Sequence, residues 1–208
     1  MSFSCGRERI LGFPEELDRP LVVFGSNKQD QLKICQGADV QFLCPVTFSG
    51  PIRPTFAEGS VTTFRGGVRQ STGTFAPKGK GDVFFTDVPS SISYLYGQGS
   101  IKWHFACPSN TLSTLACEAI YSEDAVISLE CDDAIAGART TLASLGNHCL
   151  ELNGHDLSNV LFTATSTGRL TSAEPATLFL EQTANATNKQ TVIGGAVSIV
   201  KRGTKELA

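Results

Sequence analysis

The chain has 208 residues, of which 17 are Lys or Arg and 20 are Asp or Glu, giving a net charge of -3. No like-charged run exceeds two residues, so the dominant basic field that backbone-driven nucleic-acid binding needs is excluded. No stretch approaches the roughly 18 apolar residues of a membrane span.

Residues 1–20 are expected to form an N-terminal arm. Their apolar side chains follow no clean period, and Pro14 and Pro20 interrupt them. The apolar content argues against a merely solvated tail, so the arm packs on its own domain or reaches a neighbour. Met1–Arg9 lacks the apolar core of a signal peptide, so secretion by that route is not expected.

From Leu21 onward the sequence predicts short β-strands. Runs rich in Val, Ile, Phe and Thr are punctuated by Gly, Pro, Asn and Asp. In the run 101–107, Ile101, Trp103 and Phe105 share one face because side chains alternate along a strand. The glycines in 97–100 predict a tight hairpin before this run. No internal repeat is evident.

One short helix is predicted near 132–145. Asp132 could cap its first turn, and Ile135, Ala138 and Leu142 recur at helical spacing. Gly146 is a plausible stop.

These elements predict an all-β, mainly antiparallel fold. We expect residues 21–208 to form a single β-sandwich domain, with a jelly roll as one candidate topology. Strand order cannot be read from the sequence.

No catalytic motif is found, and no cofactor or metal site is predicted. The seven cysteines include no Cys-x-x-Cys pair, and each of six sits in an apolar run, which indicates reduced core thiols. His104, His148 and His155 are scattered, with no carboxylate at ligand spacing. We therefore expect a protein that is not an enzyme.

The segment 65–80 is locally basic and is the most function-like feature of the sequence. Arg65, Arg69, Lys78 and Lys80 lie there with no acidic residue before Asp82. They could form a contact loop for phosphate, nucleic acid or an acidic neighbour, or simply a solvated hairpin loop.

The run 191–201 is nearly apolar on both of its alternating faces. This pattern is typical of a central strand buried on both sides, or of a strand paired with another subunit.

Two classes of function are left by these observations. Charged residues make up 18% of the chain, below the roughly 25% that is usual. Ser and Thr can supply the missing polarity on the solvent faces of strands, and the alternative is a surface partly covered by a partner. The first hypothesis is a structural assembly protein, such as a virion capsid, decoration or tail component, that contacts itself or other structural proteins. The expected location is then the virion or the cytoplasm, without a membrane partner.

The alternative is a monomeric β-sandwich module that binds carbohydrate or peptide. Tyr94, Tyr96 and Trp103 would then be the stacking residues. A Trp103 exposed to solvent would favour this alternative, and a buried one would count against it.

Overall fold

A computed structural model describes residues 9–11, 15–25, 32–72, 75–117, 126–135, 140–181, 191–202 and 204. Within them the chain forms strands only. The strands are β1 (Arg9–Leu11), β2 (Glu15–Leu17), β3 (Leu21–Phe24), β4 (Leu32–Ile34), β5 (Asp39–Phe42), β6 (Val46–Ser49), β7 (Thr55–Phe56), β8 (Val61–Phe64), β9 (Val68–Thr72), β10 (Lys78–Gly79), β11 (Asp82–Phe85), β12 (Ser91–Gly99), β13 (Lys102–Phe105), β14 (Thr111–Cys117), β15 (Val126–Leu129), β16 (Thr140–Glu151), β17 (Leu157–Leu180) and β18 (Thr191–Lys201).

The strands stack into a β-solenoid. All the strand pairs among the described residues are parallel, and the pairs that link β2, β5, β8, β11, β13 and β15 have no register shift. One column runs through nine coil positions, with successive members 20 to 25 residues apart: Glu15, Val40, Thr62, Val83, Trp103, Ile127, Leu150, Leu170 and Ile193. Each coil is therefore one structural repeat that contacts mainly its two neighbours.

Three parallel sheets form the sides of the solenoid. The first sheet stacks β2, β5, β8, β11, β13 and β15 and continues through parts of β16, β17 and β18. The second sheet stacks β3, β6, β9, β12 and β14. The third stacks β1, β4, β7, β10 and the end of β12.

Equivalent apolar residues of successive coils stack in the interior. The rings of Phe42, Phe64, Phe85 and Phe105 form one ladder, with centroid separations of 4.9, 5.6 and 4.8 Å. These separations follow the strand spacing of about 4.8 Å, because each ring occupies the same place in its coil. Trp103 packs beside the ladder, 6.1 Å from Phe85. All five side chains are buried.

A buried asparagine satisfies backbone groups at one corner of the solenoid. Asn110 donates from Nδ2 to the carbonyl oxygens of Cys107 and Ala134, and its Oδ1 accepts the Ser90 N–H at 2.8 Å. Its amide therefore links successive coils at a place where the backbone does not make regular strand-to-strand hydrogen bonds. Buried polar groups without such partners would cost free energy.

The predicted antiparallel β-sandwich or jelly roll is wrong, because the described strands form a parallel solenoid. Alternation along a strand reports only which face is buried, and it is the same in parallel and antiparallel sheets. The short Gly- and Asn-containing segments are corners between sheets instead of hairpin turns. Gly97–Gly99, for example, lies within β12, and Gln98 pairs with Lys78 of the preceding coil. The repeat was missed because coil length varies and few residue types recur.

The predicted helix near 132–145 is also wrong. Residues 132–135 form a turn in which Asp133 has a positive φ of 49°, and Thr140 begins β16; residues 136–139 lie outside the described part. The two aspartates cap the following coil, since Asp132 Oδ1 accepts the Asp156 N–H and Asp133 Oδ1 accepts the Ser158 N–H. A local helix-start pattern was overridden by tertiary hydrogen bonds.

The described parts of the predicted arm, 1–20, belong to the first coil. β1 pairs with β4, and β2 pairs with β5. Residues 1–8 and 12–14 lie outside the described part of the chain.

Candidate functional site

The last described coil, formed by β18, carries three of the five exposed large hydrophobic side chains among the described residues. Val192, Ile199 and Val200 are 60%, 47% and 41% exposed. Elsewhere among the described residues, only Phe24 and Val88 are large hydrophobic residues with comparable exposure. We refer to the edge of β18 (residues 191–201) that faces away from β17 as the terminal edge.

The terminal edge is exposed because no described coil follows it. β18 pairs with β17 and with no other described strand. In the column that contains Leu150 and Leu170, both side chains are fully buried, because each is covered by a coil on either side. Ile193, next in this column, is only half-buried against the core. Within the part of the chain that the structure describes, no coil covers the apolar interior at this end.

The backbone of β18 turns a corner at Gly195. This glycine has a φ of 75°, a conformation that disfavours side chains, and an added Cβ would collide with the backbone of Ser172. The register of β17 against β18 shifts between Ser172 and Ala176 at the same place. The terminal edge thus has two arms, 191–195 and 196–201, on adjoining sides of the solenoid.

The four basic residues of the predicted contact loop do not lie on one loop. Arg65 follows β8 and makes a 2.8 Å ion pair with Asp87 of the next coil. Arg69 lies in the second sheet, between Thr47 and Ser91. Lys78 belongs to β10 of the third sheet, and Lys80 follows that strand. All four are exposed, but successive sides of one coil separate them, and their role in contacts stays a prediction.

A polar cluster on the first sheet contains one of the three histidines. His104 Nδ1 lies 2.9 Å from Glu130 Oε1, and its Nε2 lies 3.5 Å from Asp82 Oδ1. The imidazole also stacks on Phe84 of the preceding coil, with centroids 4.2 Å apart. This cluster was not predicted from the sequence because its acids are 22 and 26 residues away from His104. The only sequence signal that could have predicted their contact is a separation of about one coil between neighbours.

The hydrogen bond from His104 lowers the pKa of Glu130, and the Ser128 hydroxyl lowers it further against the opposing effect of burial. Ser128 Oγ donates to Glu130 Oε1 at 2.9 Å and accepts from Asn153 Nδ2. Since each imidazole nitrogen lies near a carboxylate of an adjoining coil, the cluster links three coils.

Other sequence-predicted groups are also placed by the fold. His155 lies 3.3 Å from Asp132 on the neighbouring coil, whereas the side chain of His148 lies outside the described part. No group of three or more His, Cys, Asp or Glu residues within the described ranges has the geometry of a metal site. The five described cysteine side chains are free, and burial raises the pKa of the Cys107 and Cys131 thiols.

Trp103 is 1% exposed and cannot stack on a ligand. The side chains of Tyr94 and Tyr96 lie outside the described part. The burial of Trp103 therefore counts against the alternative in which this residue stacks on a carbohydrate or peptide ligand.

No family model, no curated protein and no solved structure matches this chain. No helix long and apolar enough to cross a membrane is found in the described residues.

Proposed function

We propose that this protein is a structural, self-associating β-solenoid whose terminal edge binds a second copy of the chain. The single observation that carries the proposal is the apolar edge of β18. It pairs with no described strand other than β17, and it exposes Val192 on its first arm and Ile199 and Val200 on its second. An exposed strand with unpaired backbone groups and apolar side chains is a template for pairing with another chain.

The energetic case rests on two contributions. Full burial of a Val or Ile side chain contributes roughly 1.5–3 kcal/mol, and Val192, Ile199 and Val200 retain 60%, 47% and 41% of their exposure. Pairing also satisfies the row of N–H and C=O groups along an 11-residue strand. Both are needed, because association costs at least about 4 kcal/mol in lost freedom of motion.

Charge does not oppose association at this edge. Lys201 is the only charged residue of β18. Natural sheet edges are commonly protected by several charges or by proline, and β18 has no proline. The terminal edge is therefore better suited to contact with another chain than to exposure to solvent.

The proposal is narrower than the virion capsid, decoration or tail component suggested by the sequence, because the terminal edge supports self-association and no observation here supports a virion. It also does not include catalysis. The polar cluster around His104 supports a bridge between coils instead of an active site.

The test is the solution mass of the full chain, measured by light scattering over a dilution series. We expect an oligomer that dissociates on dilution, and Ile199→Lys should weaken it at least tenfold by placing a charge in the contact. Val88→Lys is the matched control, since Val88 is 41% exposed but lies at a turn between β11 and β12.

Thermal melting of both variants checks that the fold is kept. A monomeric wild-type protein at every concentration would overturn the proposal and would favour a monomeric binding module. Equal weakening by Ile199→Lys and Val88→Lys would show that the terminal edge is not the contact.

A further inference from the structure

The sequence of β18 reads nearly the same in both directions about Ala196. Val192-Ile193 precedes this centre, and Ile199-Val200 follows it at the same distances. The residues between them are small or apolar: Gly194, Gly195, Val197 and Ser198. Such a strand is self-complementary when two copies run antiparallel, because each apolar pair then meets its mirror-ordered counterpart.

The side chains on the two arms also face matching directions. Ile193 pairs with Leu170, and Ile199 pairs with Leu178. Both leucines are fully buried, so both isoleucines belong to columns that face the interior. In an antiparallel pair, residues directly opposite each other lie on the same face of the sheet. Ile193 of one copy could therefore meet Ile199 of the other over the open core.

The outward positions agree in the same way. Val192 pairs with Arg169, which is exposed, and Val200 pairs with Phe179, which is half-buried. Arg202 covers Phe179, with its guanidinium carbon 3.8 Å from the ring centroid. Val192 and Val200 would form an outer cross-strand pair.

The corner at Gly195 permits this pairing. A two-fold axis that passes through Ala196, next to the corner and at right angles to the solenoid axis, exchanges residues 191–195 with residues 197–201. The rotation places the open interior of one solenoid over that of the other and makes the facing arms antiparallel. A terminal coil whose sequence centre lies one residue from its bend therefore fits a two-fold contact.

The strand at the opposite end of the same sheet does not share this symmetry. Among the described residues that strand is β2, whose three residues are Glu15, Glu16 and Leu17. Charged residues protect a sheet edge against pairing with another strand, so the sequence of β2 favours head-to-tail stacking less than the sequence of β18 favours a two-fold contact.

We propose that two chains form a closed, two-fold dimer in which their β18 strands pair antiparallel with Ala196 at the centre. The inference rests on the self-association proposed above and specifies its geometry. Val192 lies opposite Val200 of the second copy, and Ile193 lies opposite Ile199. Lys201 lies opposite Thr191, so no like charges meet. Two-fold contacts of this kind are self-complementary and close after two subunits.

Cysteine cross-linking in the full chain tests the register. Opposite residues of an antiparallel pair have Cα atoms about 4.5–5.5 Å apart, within disulfide range. Ala196, which is exposed, is opposite its own copy, so Ala196→Cys alone should give a disulfide-linked dimer under mild oxidation. The double variant Val192→Cys/Val200→Cys should cross-link as well.

Val192→Cys alone is the matched negative control. Its counterpart in the second copy lies on the order of 13 Å or more away, given a rise of about 3.3 Å per residue along each arm. Wild-type protein and Val88→Cys measure the background from the native cysteines. Non-reducing electrophoresis and peptide mass spectrometry identify the linked positions.

The outcomes separate this inference from the proposed function. A dimer mass with links at 196 and between 192 and 200 supports the pairing. A stable oligomer with links at neither place overturns the pairing but leaves self-association standing. Species that grow without limit with concentration also overturn the closed dimer, and a monomer at every concentration overturns both proposals.

Discussion

Truncation of Phe85 to alanine should destabilise the solenoid strongly. Phe85 is 0% exposed, and its ring lies 5.6 Å from Phe64, 4.8 Å from Phe105 and 6.1 Å from Trp103 between centroids. Removal of such a ring loses its transfer free energy and leaves a cavity that neighbouring coils can fill only in part. We expect a loss of about 3–5 kcal/mol in the free energy of unfolding.

Urea denaturation followed by circular dichroism and tryptophan fluorescence measures this loss. Trp103 is the only tryptophan of the chain, so its emission reports the same part of the core. Phe24→Ala is the matched control, because Phe24 is 48% exposed and should lose about 1 kcal/mol or less. If Phe85→Ala does not fold, Phe85→Leu should give a smaller loss in the same assay. A loss below about 1.5 kcal/mol for Phe85→Ala, or one equal to that of Phe24→Ala, would refute the stacked ladder.

Two further substitutions test polar groups in the coils. Thr62 Oγ1 is buried with no hydrogen-bond partner in a column between Val40 and Val83, so Thr62→Val should leave stability unchanged or raise it by up to about 1 kcal/mol. A clear loss in urea denaturation would contradict this. The hydrogen bond from His104 lowers the pKa of Glu130 from its ordinary 4.5 in the folded state. The contribution of the Glu130 carboxylate to the free energy of unfolding is therefore present above its ordinary pKa and is lost as pH falls through the lower, folded-state pKa. Glu130→Gln should flatten the acid decline of the melting temperature relative to wild type, and an unchanged decline would show that this carboxylate makes no such contribution.

The polar cluster illustrates why the site chemistry was hard to predict. Asp82, His104 and Glu130 come from three coils, and nothing in their local sequence indicates that they meet. The same holds for the basic residues of 65–80, which are near in sequence but lie on different sides of the solenoid. Sequence proximity predicts contact within a hairpin, whereas in a solenoid contacts join residues one coil apart.

The strand content itself was predictable because it depends on local alternation. The burial of Ile101, Trp103 and Phe105 on one face follows directly from the period of two and from their apolar side chains. The predicted helix failed where Asp132 and Asp133 found backbone partners in the next coil. Local preferences therefore held where burial agreed with them and failed where tertiary hydrogen bonds competed.

For the run 191–201, the sequence by itself determined a strand with two apolar faces and a centre of near-symmetry at Ala196. The sequence left open whether this strand is central in its own sheet or pairs with another subunit. Only the tertiary structure decided that β18 has a single described neighbour, because strand pairing depends on how whole coils stack and not on the residues of the strand. That stacking also made the fold a parallel solenoid, since each coil buries its apolar face only when another coil covers it.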